Sequence, residues 1–252
     1  SFYEFGGVQS QGLRVTFEPS KNTGELGFKL HSRFSREKLF SSGEKNEKRG
    51  FSEIGESNAF LFEYAGSFSP KDYYEINWNI WNEQPALSLA SDFSYVRSQG
   101  TLGQVVRIGH RKLIELDIIR ASTSGQSPLQ KKFQLGGPNV LRGFPQHTDL
   151  SDDNLLASRL GLKFPLIDSP FWGIVSTFNI QGTVFFDQGK IWSDRISFKN
   201  LNYRKSAGIG IEWTLDTVSL FQIPIKVEVA FPIDDKEYKK PQFIFLGVLT
   251  GS

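Results

Sequence analysis

Residues 133–144 read Phe-Gln-Leu-Gly-Gly-Pro-Asn-Val-Leu-Arg-Gly-Phe and place one arginine, Arg142, among small and aromatic residues. The segments on both sides alternate between apolar and polar residues, so this stretch is predicted to be a loop between β-strands. A second stretch, residues 182–192, reads Gly-Thr-Val-Phe-Phe-Asp-Gln-Gly-Lys-Ile-Trp and follows about one pair of strands later. The two stretches in this order are more specific than either one alone.

Alternation with a period of two residues runs through nearly the whole chain. Near the C-terminus, for example, Ile225, Val227 and Val229 share one face of a predicted strand, whereas Lys226 and Glu228 share the other. A soluble β-sandwich would show the same alternation. A membrane barrel is favoured because the apolar faces are aromatic and the polar faces carry charge in mid-strand, as a lipid-facing exterior and a wet interior require. These mid-strand charged residues are Lys29, Arg33, Glu63, Asp92, Glu115, Asp117, Arg159, Lys163, Glu212 and Glu228.

The expected fold is therefore an all-β, antiparallel transmembrane barrel of about twelve strands. The predicted strands lie near residues 9–18, 25–36, 58–68, 72–83, 85–97, 101–110, 112–123, 154–165, 174–188, 204–216, 221–232 and 241–250. Turns are predicted at 69–71 and 82–85, and long connections at 37–57 and 125–153. This strand count places the two long connections at opposite ends of the barrel, although periplasmic turns are usually short. Because no repeat or linker is visible, residues 1–252 are interpreted as a single domain.

The two stretches resemble the (V/L)RGF loop motif and the FFDxGxxW strand end of the outer-membrane-protein-85 superfamily. That superfamily includes the BamA and TamA assembly barrels and the FhaC-type secretion barrels. Residues 206–213, Ser-Ala-Gly-Ile-Gly-Ile-Glu-Trp, are similar to a later strand of the family, and residues 242–245 to its last strand. The resemblance covers roughly residues 112–252.

The resemblance implies a barrel of about sixteen strands whose long loop, here 125–153, folds back into the lumen. It also implies that the loop arginine, Arg142, meets acidic groups on the inner wall. Strand parity independently directs Asp187 to the inside, so we expect an Arg142–Asp187 pair. The candidate site residues are Leu141, Arg142, Gly143 and Phe144 in the loop motif, Asp187 as the lumenal partner, and Phe185, Phe186, Gly189 and Trp192 in the strand motif. The family's lateral seam would pair residues near 12–18 with 241–250.

The chain departs from the family pattern in two ways that bear on function. Gly161 stands where the family usually has a glutamate, so Arg142 is expected to have one fewer acidic partner. The given sequence also has no room for the periplasmic POTRA domains that precede assembly barrels. We therefore expect either a fragment of a longer chain or a reduced family member.

Composition argues against most other functions. The chain has no cysteine, which excludes disulfides and thiolate metal sites, and its net charge of +2 gives no indication of nucleic-acid binding. It contains no apolar run long enough for a transmembrane helix. The three histidines lack metal-ligand spacing and no nucleophile motif is present. Neither an enzymatic activity nor a cofactor is therefore expected.

Taken together, the motifs predict a protein of the bacterial outer membrane that inserts or translocates polypeptide or lipid. The alternative is a structural, accessory or channel barrel that anchors a partner without assembly activity. The expected partners are outer-membrane lipid, client polypeptides and other subunits of an outer-membrane or periplasmic complex.

Overall fold

The chain forms one large antiparallel sheet whose strand order follows the sequence. The computed structural model describes residues 14–17, 26–39, 55–85, 91–109, 111–146, 148–167, 176–193, 202–217, 221–233, 235, 237–247 and 250–251. The strands of the large sheet are β1 (Arg14–Phe17), β2 (Leu26–Leu39), β3 (Gly55–Lys71), β4 (Tyr74–Pro85), β5 (Ser94–Ile108), β6 (Lys112–Gln126), β9 (Asn154–Ile167), β10 (Ser176–Trp192), β11 (Arg204–Thr217), β12 (Phe221–Ile233), β13 (Gln242–Gly247) and β14 (Thr250–Gly251). Two short strands, β7 (Phe133–Gln134) and β8 (Ser151–Asp152), pair separately. The predicted all-β antiparallel class is confirmed.

The twelve described strands of this sheet occupy eleven rows, because β13 and β14 both pair with β12 in one continuous register. Ile225 is opposite Gly247 and Gln222 is opposite Thr250, so β14 continues the row of β13. In the described parts of the chain, no ladder joins β1 to β13 or β14. The predicted seam between 12–18 and 241–250 falls partly outside the described residues.

The prediction of separate strands at 85–97 and 101–110 was wrong. A single strand, β5, pairs continuously with β6 from Ser94 opposite Gln126 to Ile108 opposite Lys112. Gly100 and its polar neighbours favour a turn locally, but hydrogen bonding to β4 and β6 on both sides keeps this segment extended.

The predicted turns at 69–71 and 82–85 were also wrong, because these residues end β3 and lie within β4, respectively. Pro70 lies within the register shift between Phe68 and Lys71, an irregularity of the kind that tolerates proline, and Pro85 is the last residue of β4. The turn between β3 and β4 instead lies at residues 72–73.

With one strand fewer, the C-terminal end of β2 lies at the same end of the sheet as the C-terminal end of β6. Consecutive antiparallel strands place their connections at alternate ends of a sheet. The prediction put an odd number of strands between the two long connections, whereas the structure has four, β3 to β6. The tight connections at 72–73 and 109–111 lie at the opposite end. The inconsistency in the predicted loop lengths is thereby resolved.

The two faces of the sheet differ in chemistry. Large apolar side chains such as Phe62, Leu160 and Ile209 are exposed on the outer face. The inner face carries the loop 127–153, and the main buried core lies between that loop and strands β6 and β9. The same loop contacts β4 through Glu83 and β12 through Glu228, so the sheet curves around it. Among the described residues, no helix is long and apolar enough to cross a membrane.

The faces can be tested with single cysteines, because these 252 residues contain none. On β11, Ile209 is 62% exposed on the outer face, whereas the Glu212 side chain lies on the inner face and is 30% exposed. In lipid bilayers, Ile209→Cys should react with a membrane-confined maleimide and Glu212→Cys with a water-soluble one. The opposite labelling pattern would show that the faces are reversed.

Candidate functional site

The loop between β6 and β9 is held in a defined shape by its own backbone. It contains short 3-10 turns at Leu129–Lys131 and Thr148–Leu150 and the β7–β8 pair. The amide of Leu135 donates to the carbonyl of Leu150 at 2.8 Å, and the amide of Gly137 donates to the carbonyl of Phe144 at 2.9 Å. These bonds close residues 137–144 into a compact turn that carries Arg142.

Gly143 allows this turn to contact the inner face of the sheet, called the wall below. Its φ of +96° belongs to the left-handed region that disfavours side chains. A Cβ at this position would also lie only 2.8 Å from the Cβ of Ser206 on β11. Glycine is therefore required by both the backbone conformation and the close approach to β11.

The neighbouring apolar residues of the motif pack the turn in place. Leu141 and Phe144 are fully buried in the core beneath the loop. The ring of Phe144 meets Tyr238 edge-on, with centroids 5.8 Å apart, and the guanidinium of Arg204 lies over both rings. Arg204 in turn donates to Asp235 at 2.7 Å. The motif is thus fixed on the side facing the 235–241 connection as well.

Arg142 reaches the wall and binds Asp187 of β10. Its Nε donates to Oδ2 and its Nη2 donates to Oδ1, both at 2.8 Å, and its backbone amide donates to Oδ2 at 3.2 Å. This two-pronged arrangement is the geometry in which arginine binds a carboxylate most strongly. The structure therefore brings together the two residues that the sequence placed opposite each other.

A second carboxylate completes the coordination of the arginine. Nη1 of Arg142 donates to Oε1 of Glu228 on β12 at 2.8 Å, and Lys226 lies 2.9 Å from the same oxygen. Residue 161, where a missing acidic partner was expected, is glycine and contributes no carboxylate. Glu228 provides a carboxylate from a different strand.

The guanidinium also stacks on an aromatic ring. Its central carbon lies 3.5 Å from the ring centroid of Phe185, close enough for a cation–π contact. Phe185 has Gly161 and Gly208 as its partners on the two neighbouring strands. A Cβ on Gly208 would overlap the Phe185 ring. Gly208 therefore leaves room for the ring to lie against the wall beneath Arg142.

All three charged groups are removed from solvent. Arg142 is 4% exposed, Asp187 0% and Glu228 1%. Burial alone would lower the pKa of Arg142, but hydrogen bonds from its guanidinium to Asp187 and the charges of Asp187 and Glu228 raise that pKa above its ordinary value. The arginine is thus held as a cation by groups that would be costly to leave unpaired.

The positive charges around this cluster have their own partners. Lys163 lies 3.1 Å from Glu115 and 3.3 Å from Glu212, and Arg159 donates to the backbone carbonyl of Asn139 in the loop. Asp187 therefore remains available to Arg142.

The remaining residues of the predicted strand motif have different environments. Phe186 points to the outer face, and Trp192 lies under the guanidinium of Arg120, 4.8 Å from its ring centroid. Gly189 is on the inner face, where a Cβ would lie 2.6 Å from the Leu135 side chain of the loop. Phe185, Asp187 and Gly189 thus face the loop, and Phe186 does not.

Sequence reasoning identified Glu228 as a mid-strand charge but did not connect it with Arg142. Glu228 is opposite Gly210, which is opposite Thr183 on β10. This two-step register places Glu228 on the same face as Thr183 and Asp187, within reach of Arg142, and alternation within a single strand does not reveal it.

Removing Arg142 should destabilise the fold more than removing Asp187. Arg142→Ala leaves Asp187 buried without the arginine and Glu228 with Lys226 alone, and should lower the free energy of unfolding by about 3–5 kcal/mol. Asp187→Ala should cost less, because Glu228 still binds the guanidinium. The double variant should cost less than the sum, by roughly 0.5–3 kcal/mol of coupling. Urea unfolding in detergent, followed by tryptophan fluorescence, measures all three; strictly additive losses would contradict a direct interaction.

A second test concerns Gly143. Gly143→Ala should cost roughly 1–2 kcal/mol for the left-handed backbone and more for the contact with Ser206. Gly109→Ala is the matched control, because Gly109 has a φ of +58° but nothing within 4 Å of its Cβ position. The added Ser206→Gly change should recover part of the Gly143→Ala loss. Equal losses for the two alanine variants would show that contact with β11 is unimportant.

Comparison with known proteins identifies the family of the chain. A family model described as the Omp85 superfamily domain matches residues 68–247, well over half of the chain. The fold is similar to a crystal structure of BamA from Haemophilus ducreyi lacking POTRA domains 1–3, with a TM-score of 0.65 and 16% identity. The match covers 96% of this chain and 54% of that one, so the chain spans about half the length of the BamA structure. No curated protein matches the sequence. The likeness to BamA concerns the fold, and the family match shows that the chain belongs to the Omp85 superfamily.

Proposed function

We propose that this chain is an outer-membrane barrel that inserts or translocates polypeptides at the bacterial outer membrane. The observation that carries the proposal is the buried cluster in which Arg142 binds Asp187 and Glu228. The motif resemblance described from the sequence implies that the loop arginine of such barrels meets acidic groups on the inner wall, and Arg142 makes contacts of this kind.

The physical nature of the cluster supports a role beyond stability. Burying ions is costly, and well-packed apolar residues often stabilise a protein as well as a buried ion pair does. Directional hydrogen bonds, by contrast, fix position: the guanidinium of Arg142 contacts β10 and β12 together, while Gly143 meets β11. The loop is thereby held in a defined relation to three consecutive strands.

These strands adjoin the last strand of the described sheet. Within the described residues β13 pairs with β12 alone, and its outward side chains Phe243 and Phe245 are the most exposed large apolar residues, at 77% and 71%. An edge strand presents unpaired backbone groups to which another strand can add. We infer that a client strand pairs at this edge and that the Arg142 cluster holds the adjacent wall in register.

The proposal can be tested in liposomes that contain the purified barrel. A urea-unfolded outer-membrane barrel protein should fold into these liposomes faster than into empty ones, and Arg142→Lys should abolish most of the acceleration. Lysine keeps the charge but cannot form the bidentate contact with Asp187. Folding of the client is measured by its heat-dependent shift in gel mobility.

Arg107→Lys is the matched control, because Arg107 is half exposed and its contact with Glu75, at 3.7 Å, is loose. It should leave the acceleration unchanged. If the wild-type barrel does not accelerate client folding, the alternative of a structural, accessory or channel barrel replaces this proposal.

A further inference from the structure

The loop has a second buried ionic contact on the opposite side of the inner face. Nζ of Lys131 donates to Oε1 of Glu83 on β4 at 2.7 Å, and both side chains are less than a tenth exposed. The other carboxylate oxygen of Glu83 accepts from Nη1 of Arg97 on β5 at 2.8 Å. Glu83 thus binds both Lys131 of the loop and Arg97 of the sheet.

A hydroxyl chain supports this carboxylate. The Tyr95 hydroxyl donates to Oε1 of Glu83 at 2.6 Å, and the Ser57 hydroxyl lies 2.8 Å from the Tyr95 oxygen. Because the single proton of Tyr95 goes to Glu83, Ser57 is the donor in the second bond. Strands β3, β4 and β5 therefore all contribute to holding Glu83 in position.

An aromatic contact adds to the attachment. The guanidinium of Arg97 lies 4.8 Å from the ring centroid of Phe133 in the loop and 5.3 Å from that of Trp81 on β4. The two rings are themselves 6.0 Å apart. Near Lys131 the loop is therefore held by a guanidinium stacked on an aromatic ring, as it is at Arg142.

The two attachments lie on distant strands. In the strand order, β4 and β10 are four rows apart, which corresponds to roughly 19 Å along a flat sheet. Between the attachments the loop is folded, with Leu135 hydrogen-bonded to Leu150 and packed against Gly189. A rigid segment fastened at both ends resists separation of the walls it joins.

We infer that Lys131 and Glu83 are positioning residues that form a second anchor of the loop, separate from the Arg142 cluster. This anchor holds the N-terminal part of the loop against the wall formed by β3, β4 and β5 and keeps that side of the lumen closed to ions. The inference goes beyond the proposed function, because it concerns the position of the loop whether or not the barrel inserts polypeptides.

Residue-resolved hydrogen exchange on the intact chain in detergent separates the two anchors. In Lys131→Met, protection of the amides of residue 131 and Leu135 should fall roughly a hundredfold, because the loop then loses its buried ionic contact with β4. The Arg142 amide, which donates to Asp187, should keep its wild-type protection. Lys131→Arg should restore most of the lost protection, since it restores the charge.

Lys132→Met is the matched control. Lys132 is the next residue in the chain, but its partner at 3.4 Å is Asp153 within the same connection, and both are about a quarter exposed. This variant should leave all three amides at wild-type protection. Glu83→Gln is a milder second variant, should Lys131→Met fail the heat-dependent gel-shift test for a folded barrel, and it should loosen the same two amides.

Ion conductance in planar bilayers provides a readout that stability alone would not change. Lys131→Met and Glu83→Gln should raise the single-channel conductance above wild type, whereas Lys132→Met and Lys131→Arg should not. Wild-type protection and conductance in folded Lys131→Met would overturn the inference. Equal loss of protection at Arg142 and Leu135 would also overturn it, because the loop would then have one cooperative anchor. Neither measurement depends on client insertion, so the two proposals can fail separately.

Discussion

The burial of one guanidinium explains most of the local structure around it. Arg142 is shielded from water, so it must be matched by anions and hydrogen-bond acceptors within the fold. Two carboxylates on β10 and β12 provide the charge, and Phe185 provides a π face. Placing that ring so close to the wall requires a glycine on β11, because a Cβ on Gly208 would overlap the ring. The glycine that follows the arginine meets the same requirement from the side of the loop.

The two anchors of the loop use the same interactions with the roles exchanged. At one, a loop arginine lies on a wall aromatic, Phe185, and binds wall carboxylates. At the other, a wall arginine, Arg97, lies on the loop aromatic Phe133 and shares the carboxylate of Glu83 with Lys131. The apolar core between them excludes water but is not directional. Apolar burial therefore keeps the loop on the inner face, whereas the ionic contacts determine where on that face it lies.

The sequence predicted which face each side chain occupies better than it predicted the register between neighbouring strands. Alternation directed Asp187 inward, where it is buried, because direction depends only on parity within a strand. The contact between Arg142 and Glu228 depends on the register of β10, β11 and β12, which no single segment encodes. Glu83 was missed for a more local reason: Pro85 led its segment to be interpreted as a turn, whereas β4 continues through it. Once Glu83 is assigned to β4, it lies an even number of residues from Asn77 and Asn79 and therefore shares their face of the strand, the inner one.

The arrangement of the carboxylates makes the Arg142 cluster sensitive to strand register. Glu228 reaches the guanidinium across β11, whose Gly210 separates it from Thr183 of β10. A slip of one residue between β11 and β12 would turn Glu228 to the outer face and leave a single carboxylate for Arg142. Among the described strands, β13 at the sheet edge pairs with β12 alone. A slip of β12 would therefore also disturb the strand that supports this edge. The cluster therefore stabilises one register of the wall next to that edge, and this is the constraint required of a wall on which an incoming strand would align.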